Sequence, residues 1–305
     1  MTAREPADLV FCIFSFNRGR FLRNCVASVE RCAPGARIVV VDDDSTDQDT
    51  RTALDAIGLT HEVLVPKHLS RHHLGGLYGN MQSALEHCAD APLLCFLQDD
   101  TQLVRPVQAQ DVAFFEAAFD GNPRLAFLHP CFVKGLHRAS GARYTFDERR
   151  GLYERAPTER SAGRYFSAML ITRPSRLLAR GWRFRRGEPD NNQQARELFD
   201  PIGYLPAPIA MWLPAVPSYR GKRKTLGLRL AERWGRCGFY PFRILDEAEV
   251  GALRARPTAE PPYAEAHLEC LPSTPPAPWT YGPLAGRRLL KALNNLETNL
   301  RRVIG

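Results

Sequence analysis

The stretch Leu9-Val-Phe-Cys-Ile-Phe14 is a continuous apolar run of strand length, and the polar segment Ser15-Phe-Asn-Arg18 follows it directly. Such runs are typical of strands that are buried on both faces of a sheet. Asn17 can cap a helix, and the residues behind it have helical spacing of apolar side chains: Phe21, Leu22, Val26 and Val29. The stretch therefore predicts a buried strand, a polar loop and an amphipathic helix.

The same alternation continues to about residue 97. Further strands are predicted at residues 38–41, 62–65 and 92–97, and helices at residues 47–57, with Asp47 as the cap, and 76–87. Strict alternation of strands and helices is typical of an α/β fold with a mostly parallel central sheet and right-handed crossovers. In such sheets ligands bind beyond the carboxyl ends of the strands.

Composition excludes several classes of protein. The 305 residues are 44% hydrophobic and 24% charged, which fits a globular chain and excludes a wholly disordered, collagen-like or purely coiled-coil protein. The 41 Lys and Arg against 33 Asp and Glu give a net charge of +8, which favours an anionic partner. Eight cysteines without a CxxC pair predict reduced core thiols rather than a zinc site. The longest uncharged stretch, 201–219, carries five prolines, so no spanning helix is expected there.

Carboxylates follow two of the predicted strands. Asp42-Asp-Asp44 ends the second strand, and Asp99 and Asp100 end the fourth. Five carboxylates at neighbouring strand ends repel one another unless a cation or hydrogen-bond donors are present. A divalent metal that bridges to a diphosphate would relieve the repulsion. The alternative for Asp42 to Asp47 is a role in capping a helix and forming a turn.

The chain divides into a regular half, a mixed half and a basic extension. We expect a catalytic domain at 1–221, with halves at 1–105 and 106–221, and a basic, then proline-rich extension at 222–283. Eight prolines at 257–283 indicate an extended linker or a segment that wraps the surface. A C-terminal amphipathic helix is predicted at 284–305 from one apolar seam: Leu289, Leu293, Leu296, Leu300 and Val303.

Three segments together resemble the inverting family 2 glycosyltransferases of the GT-A fold. They are Ile13-Phe-Ser-Phe-Asn-Arg18, Val40-Val-Asp-Asp-Asp-Ser-Thr-Asp47 and Phe96-Leu-Gln-Asp-Asp100. The resemblance extends over roughly residues 8–215. It implies a GT-A type nucleotide-diphospho-sugar transferase fold with a C-terminal extension.

The resemblance also implies roles for individual residues. Phe16 would pack against the nucleotide base, Asp43 or alternatively Asp42 would accept a hydrogen bond from it, and Asp99 would face the ribose. Asp100, with Asp99, would bind Mn²⁺ or Mg²⁺. The full nucleotide-sugar-binding set that it implies is Ser15, Phe16, Asn17, Arg18, Asp42, Asp43, Arg71, Asp99, Arg220 and Lys222. For Arg71, Arg220 and Lys222 a solvated basic loop is the alternative.

An inverting transfer needs a carboxylate that takes the proton of the acceptor hydroxyl. The family's motif for this base corresponds here to Gly187-Glu-Pro-Asp-Asn191, in which Pro189 departs from the pattern. The base is therefore Asp190 or Glu188. Asp190 is preferred, because residues 191–196 continue as the family's helix would; helix capping is the alternative.

The function expected is a metal-dependent inverting transfer of a sugar from a nucleoside-diphosphate sugar, with UDP favoured, to a hydroxyl acceptor. The acceptor would be a glycan or lipid-linked saccharide in surface glycan or polysaccharide synthesis. A catalytically inactive scaffold of the same fold is the alternative, and no nucleic-acid-binding pattern occurs. We expect a cytoplasmic protein. Its last helix packs on the domain, forms a homodimer, or binds an anionic membrane at the inner face.

Overall fold

A computed structural model describes residues 8–66, 76–139, 143–157, 163–218 and 224–304. The eleven strands of this part are β1 (Leu9–Ser15), β2 (Ile38–Asp42), β3 (Glu62–Leu64), β4 (Leu93–Gln98), β5 (Thr101–Leu103), β6 (Leu128–His129), β7 (Tyr144–Asp147), β8 (Leu152–Arg155), β9 (Leu170–Thr172), β10 (Gly203–Tyr204) and β11 (Ala210–Trp212). The helices are α1 (Gly19–Cys32), α2 (Gln48–Ile57), α3 (Gly76–His87), α4 (Ala109–Asp120), α5 (Gly135–Ala139), α6 (Pro174–Ala179), α7 (Glu188–Leu198), α8 (Leu226–Trp234), α9 (Glu247–Ala255), α10 (Ala264–His267) and α11 (Arg288–Ile304).

Nine strands form the central sheet, in the order β3-β2-β1-β4-β9-β6-β10-β8-β7. The first four are parallel, as the alternation of strands and helices predicts. Strand β9 is antiparallel to both of its neighbours, and the β7–β8 hairpin is antiparallel at the far edge. Strands β5 and β11 make a separate antiparallel pair. The sheet is thus mostly parallel in its first half and mixed in its second.

The core lies on both faces of this sheet. In β1, Leu9, Phe11 and Ile13 belong to one apolar cluster, and Val10, Cys12 and Phe14 belong to the other. This alternation follows from the two-residue period of a strand. Because both faces are covered, the strand is apolar at every position, which explains the continuous run in the sequence.

The extension packs against the catalytic part. Val133 forms a bridge with Tyr263, the backbone of Phe242 exchanges two hydrogen bonds with the Gln102 side chain, and Trp279 is only 2% exposed. The proline-rich stretch therefore wraps the surface of the domain. No helix in the described part of the chain is long and apolar enough to cross a membrane.

Candidate active site

The carboxyl ends of β1, β2 and β4 meet at one edge of the sheet. The backbone pairing continues past the strands, since Asp43 N–H donates to Ser15 O (2.9 Å) and Asp99 N–H donates to Phe14 O (2.9 Å). This edge brings together the described members of the expected set: Ser15, Phe16, Asn17, Arg18, Asp42, Asp43, Asp99 and Asp100. Arg71, Arg220 and Lys222 lie outside the described residues.

Asp42 is buried and shapes the loop after β2. Its two carboxylate oxygens accept from Ser45 N–H and from Ser45 Oγ–H, each at 2.7 Å. Ser45 Oγ in turn accepts from Asn17 N–H at 2.8 Å. The Asp42 carboxylate is therefore engaged in the turn, which is the alternative that the sequence left open for it.

Asn17 does not cap α1, and that prediction was wrong. Its φ of 51° lies in the left-handed region, which Asn tolerates better than most residues. Its side-chain oxygen accepts from Thr46 N–H (2.8 Å) and Asp47 N–H (3.0 Å), so it ties the loop after β1 to the start of α2. Arg18 occupies the N-cap position of α1, but its side chain makes no capping hydrogen bond. By contrast, Asp47 caps α2 as predicted, accepting from Thr50 N–H at 3.0 Å.

Asp43 is half-buried and faces α3. Its Oδ1 accepts from Asn80 Nδ2 at 3.4 Å, and a Cβ atom added at Gly76 would collide with its carboxylate. The absence of a side chain at Gly76 is therefore what makes room for Asp43. Of the two acids proposed for the nucleotide base, Asp43 is the one whose carboxylate is not committed to the Ser45 turn.

Asp99 and Asp100 share one arginine. Arg18 Nη1 lies 3.3 Å from Asp99 Oδ1 and 2.6 Å from Asp100 Oδ2, and Arg18 Nη2 donates to Pro217 O at 3.3 Å. Asp99 Oδ2 accepts from Phe16 N–H at 3.1 Å. Burial raises the pKa of Asp99 to about 7, with the Asp100 charge adding to the rise and Arg18 opposing it. The guanidinium of Arg18 thus forms salt bridges with both acids, a role that sequence reasoning did not assign to Arg18.

One carboxylate oxygen of the acid pair is left for a further ligand. Asp100 Oδ1 is buried and has no hydrogen-bond partner among the described residues. A hard cation prefers such carboxylate oxygens and leaves coordination positions for phosphate oxygens. No group of three His, Cys, Asp or Glu in the described ranges could hold a metal by itself. The residues therefore fit a cation that Asp100 and a diphosphate hold together.

The segment with the two base candidates begins α7. Asn191 is fully buried and fixes this start: its Oδ1 accepts from Arg185 N–H (2.8 Å), and its Nδ2 donates to Arg185 O (2.9 Å) and Gly187 O (2.8 Å). Pro189 fits in the first turn of α7 because the backbone N–H groups of a first helical turn have no acceptor within the helix, so the missing N–H of proline costs no hydrogen bond. Glu188 and Asp190 both lie in this first turn and both are exposed.

Lys134 joins the two sides of the site. Its Nζ lies 3.7 Å from the ring centroid of Trp212 and 4.7 Å from that of Tyr281. Burial lowers the pKa of Lys134, and the charges of Asp100 and Glu188 oppose that effect. Although the Glu188 side chain is exposed, neighbouring protein atoms displace part of its hydration and raise its pKa, and the charge of Lys134 opposes that rise. The charge of the ammonium group therefore acts on Asp100 of the acid pair and on Glu188 at the start of α7.

Sequence reasoning missed Lys134 and Tyr281. The available signal for Lys134 was a lone cation directly after the apolar run that contains β6. Tyr281 comes from the proline-rich extension, and its hydroxyl is buried without a hydrogen-bond partner among the described residues. No local pattern in the sequence indicates that this tyrosine reaches the site.

Comparisons with known proteins identify one matching family model and two similar solved structures. The family model described as glycosyl transferase family 2 matches residues 10–114. No curated protein matches. Among solved structures, the chain is similar to the crystal structure of S. aureus TarS, with 16% identity and a TM-score of 0.44, over 65% of this chain and 35% of that one. It is also similar to mannosyltransferase PcManGT from Pyrobaculum calidifontis in complex with GDP-Man and Mn²⁺, with 15% identity and a TM-score of 0.43, over 76% of this chain and 63% of that one.

This chain thus spans about a third of the length of the first structure and less than two thirds of the second. The assignment depends on the match over residues 10–114 together with the parallel order of β3, β2, β1 and β4. Residues 10–114 are therefore similar to glycosyl transferase family 2, in agreement with the motifs, and the strand order confirms the predicted α/β fold class with a mostly parallel central sheet.

Proposed function

We propose that the protein transfers a sugar from a nucleoside-diphosphate sugar, with a UDP-sugar favoured, to a hydroxyl group of a glycan or lipid-linked saccharide, with inversion at the anomeric carbon. The observation that carries the proposal is the acid pair bound by Arg18, in which Asp100 Oδ1 has no hydrogen-bond partner among the described residues. We propose a role in surface glycan or polysaccharide synthesis in the cytoplasm. Seven buried free cysteines suit such a reducing compartment.

The loops after β1 and β2 would bind the nucleoside. We propose that Phe16 packs against the base, Asp43 accepts from it, and Asp99 faces the ribose. Ser15 and Asn17 support these loops, since Ser15 Oγ is buried without a partner in the described residues and Asn17 fixes the turn before α2.

Arg18 and Lys134 would act on the leaving diphosphate. Its negative charge grows as the bond between the anomeric carbon and the phosphate oxygen breaks, and fixed cations stabilise that charge. When bound at Asp100, a Mn²⁺ or Mg²⁺ ion supplies further charge stabilisation to the diphosphate. Arg71, Arg220 and Lys222, which lie outside the described residues, remain proposed additional phosphate contacts.

The base would take the proton from the acceptor hydroxyl while its oxygen attacks the anomeric carbon from the face opposite the diphosphate. Two features support Glu188 over Asp190, the residue that sequence reasoning preferred. The charge of Lys134 acts on Glu188, and neighbouring protein atoms that displace part of its hydration raise the pKa of Glu188, although its side chain remains exposed; a raised pKa suits a general base better than an ordinary carboxyl group does. Asp190 Oδ2 lies beside the helix cap, 3.6 Å from the position of a Cβ on Gly187.

A screen of UDP-, GDP- and dTDP-sugars with Mn²⁺, measured as release of the nucleoside diphosphate, tests the proposal. We expect release with at least one UDP-sugar and loss of release when EDTA is added. The inactive-scaffold alternative predicts that a sugar nucleotide binds but that none is turned over. If the protein neither binds nor turns over any of these donors, the proposal is refuted.

A further inference from the structure

Helices α8 and α11 form a close pair at the surface. Leu226 N–H donates to Glu297 Oε2 at 2.6 Å, and Thr225 Oγ–H donates to Asn294 Oδ1 at 2.8 Å. A Cβ atom added at Gly227 would lie only 2.7 Å from Leu290 O, so the backbones approach at a distance that requires glycine there. We refer to these two helices as the α8–α11 pair.

The pair exposes a concentration of large apolar side chains. Of the nine such side chains exposed in the described residues, five belong to it: Leu226, Trp234, Leu289, Leu296 and Leu300. Leu289 is 87% exposed and Trp234 is 64% exposed. Spacings of seven and four place the three α11 leucines on one stripe of the helix. A concentration of exposed large apolar side chains favours an interaction site.

This stripe is distinct from the face that packs on α8. The contacts with α8 are made by Leu290, Asn294 and Glu297, whereas Leu289, Leu296 and Leu300 lie around the helix from them. The apolar seam in the sequence is therefore only partly used for packing within the chain, and the rest faces solvent.

The same pair and the residues that flank it hold a net positive charge almost equal to that of the whole chain. Residues 224–236 and 287–302 contain nine Lys or Arg and two Asp or Glu, a net +7 out of the chain's +8. Both acids are engaged within the pair: Glu232 lies 2.7 Å from Lys224 Nζ, and Glu297 accepts from Leu226 N–H and pairs with Arg301. Several exposed cations form no salt bridge with any described residue: Arg229, Arg233, Arg236, Arg288 and Lys291.

The charge decides what covers the stripe. A second copy would bring another +7 against the first, and that repulsion opposes a homodimer through this face. An anionic bilayer offers both complements, because leucine and tryptophan insert at the headgroup boundary while flanking cations contact anionic lipids. We infer that the α8–α11 pair is a docking surface for an anionic membrane.

The pair also lies close to the acid pair. Ser218 N–H donates to Glu232 Oε1 at 2.9 Å, and the preceding residue, Pro217, accepts through its carbonyl from Arg18. Docking would therefore hold the site next to the bilayer, where a lipid-linked acceptor is present. The inference about the surface itself does not depend on the proposed transfer, and its test does not measure activity.

Sedimentation of the full chain with vesicles tests the inference. We expect binding to vesicles of phosphatidylcholine mixed with phosphatidylglycerol but not to phosphatidylcholine alone, and weaker binding as salt is raised. The double variant Leu296→Ser with Leu300→Ser should bind at least about tenfold less, because each leucine loses apolar contact with the lipid. Leu59→Ser, at a leucine 85% exposed elsewhere, is the matched control and should bind like the wild type.

A second pair of variants tests the charge. Arg229→Gln with Arg233→Gln should weaken binding about fivefold per cation removed, whereas Arg180→Gln, at an exposed arginine outside the pair, should not. The side chains of these two arginines form no hydrogen bond or salt bridge with any described residue, so this comparison remains informative even if circular dichroism shows that the leucine variant is unfolded. Wild-type protein that stays in the supernatant at low salt would overturn the inference. So would a dimer in solution that the leucine variant dissociates, because a second copy would then be the occupant.

Discussion

The two carboxylates at the start of α7 can be separated by a pair of conservative substitutions. Removing a general base costs about 10²- to 10⁴-fold in rate, which is about 3 to 5 kcal/mol of activation free energy. We expect Glu188→Gln to lose that much in kcat. Asp190→Asn should stay near the wild-type rate and lose only the favourable charge at the helix N-terminus, about 0.3–1 kcal/mol of stability. Glu197→Gln, farther along the same helix, is the matched control.

Lys134 adds a pH signature to this prediction. Its positive charge favours the ionised form of Glu188, so Lys134→Met should raise the pKa of Glu188 further above its ordinary value. A base with a higher pKa is protonated at higher pH, so the acid limb of the kcat/KM profile should move to higher pH. Initial rates of nucleoside diphosphate release, measured against pH, give both results. If Glu188→Gln stays active and Asp190→Asn does not, the base is Asp190 and our reasoning is wrong.

Two further predictions concern the nucleotide loop and the core. Gly76→Ala should displace the Asp43 carboxylate and weaken UDP binding, measured by calorimetry, at least about tenfold, because a lost charge-assisted hydrogen bond costs about 1.5–3 kcal/mol. Gly251→Ala is the control and should bind UDP like the wild type, because a Cβ atom at that position meets nothing within 4 Å. Arg105 is fully buried and bidentate to Asp111, with both bonds at 2.9 Å. Arg105→Met should therefore lower the free energy of unfolding, measured in urea, by about 3 kcal/mol, the lower end for a broken buried ion pair. The lower end applies because Arg254 still pairs with Asp111. An unchanged unfolding midpoint would contradict this prediction.

Local sequence determined the first half of the fold and the position of the acids. The apolar runs of β1, β2 and β4 are covered on both faces, so they could be identified without knowing their neighbours, and the polar residues behind them had to meet at one edge. The sequence could not show which carboxylate oxygens of these acids remain available to a ligand. The Ser45 turn engages Asp42 and the Arg18 guanidinium spans Asp99 and Asp100, and both depend on how three loops pack.

The other side of the site depends on contacts far apart in sequence. Lys134 lies over Trp212 and Tyr281, residues about 80 and 150 positions later in the chain. Nothing in the periodicity of a proline-rich stretch indicates where it will lie. Asn17 illustrates a local failure: its position before α1 suits a helix cap, but the packing of the two loops directs its carboxamide to the backbone before α2.

Calorimetric titration with UDP in the presence and absence of Mn²⁺ tests the central claim most directly, when wild type is compared with Asp100→Asn. Our account predicts that Mn²⁺ strengthens UDP binding to the wild type, because Asp100 Oδ1 and the diphosphate share the cation. The variant should still bind UDP through its nucleoside contacts but should lose the gain from Mn²⁺. Equal strengthening by Mn²⁺ in both proteins, or no binding of UDP to the wild type, would contradict the account.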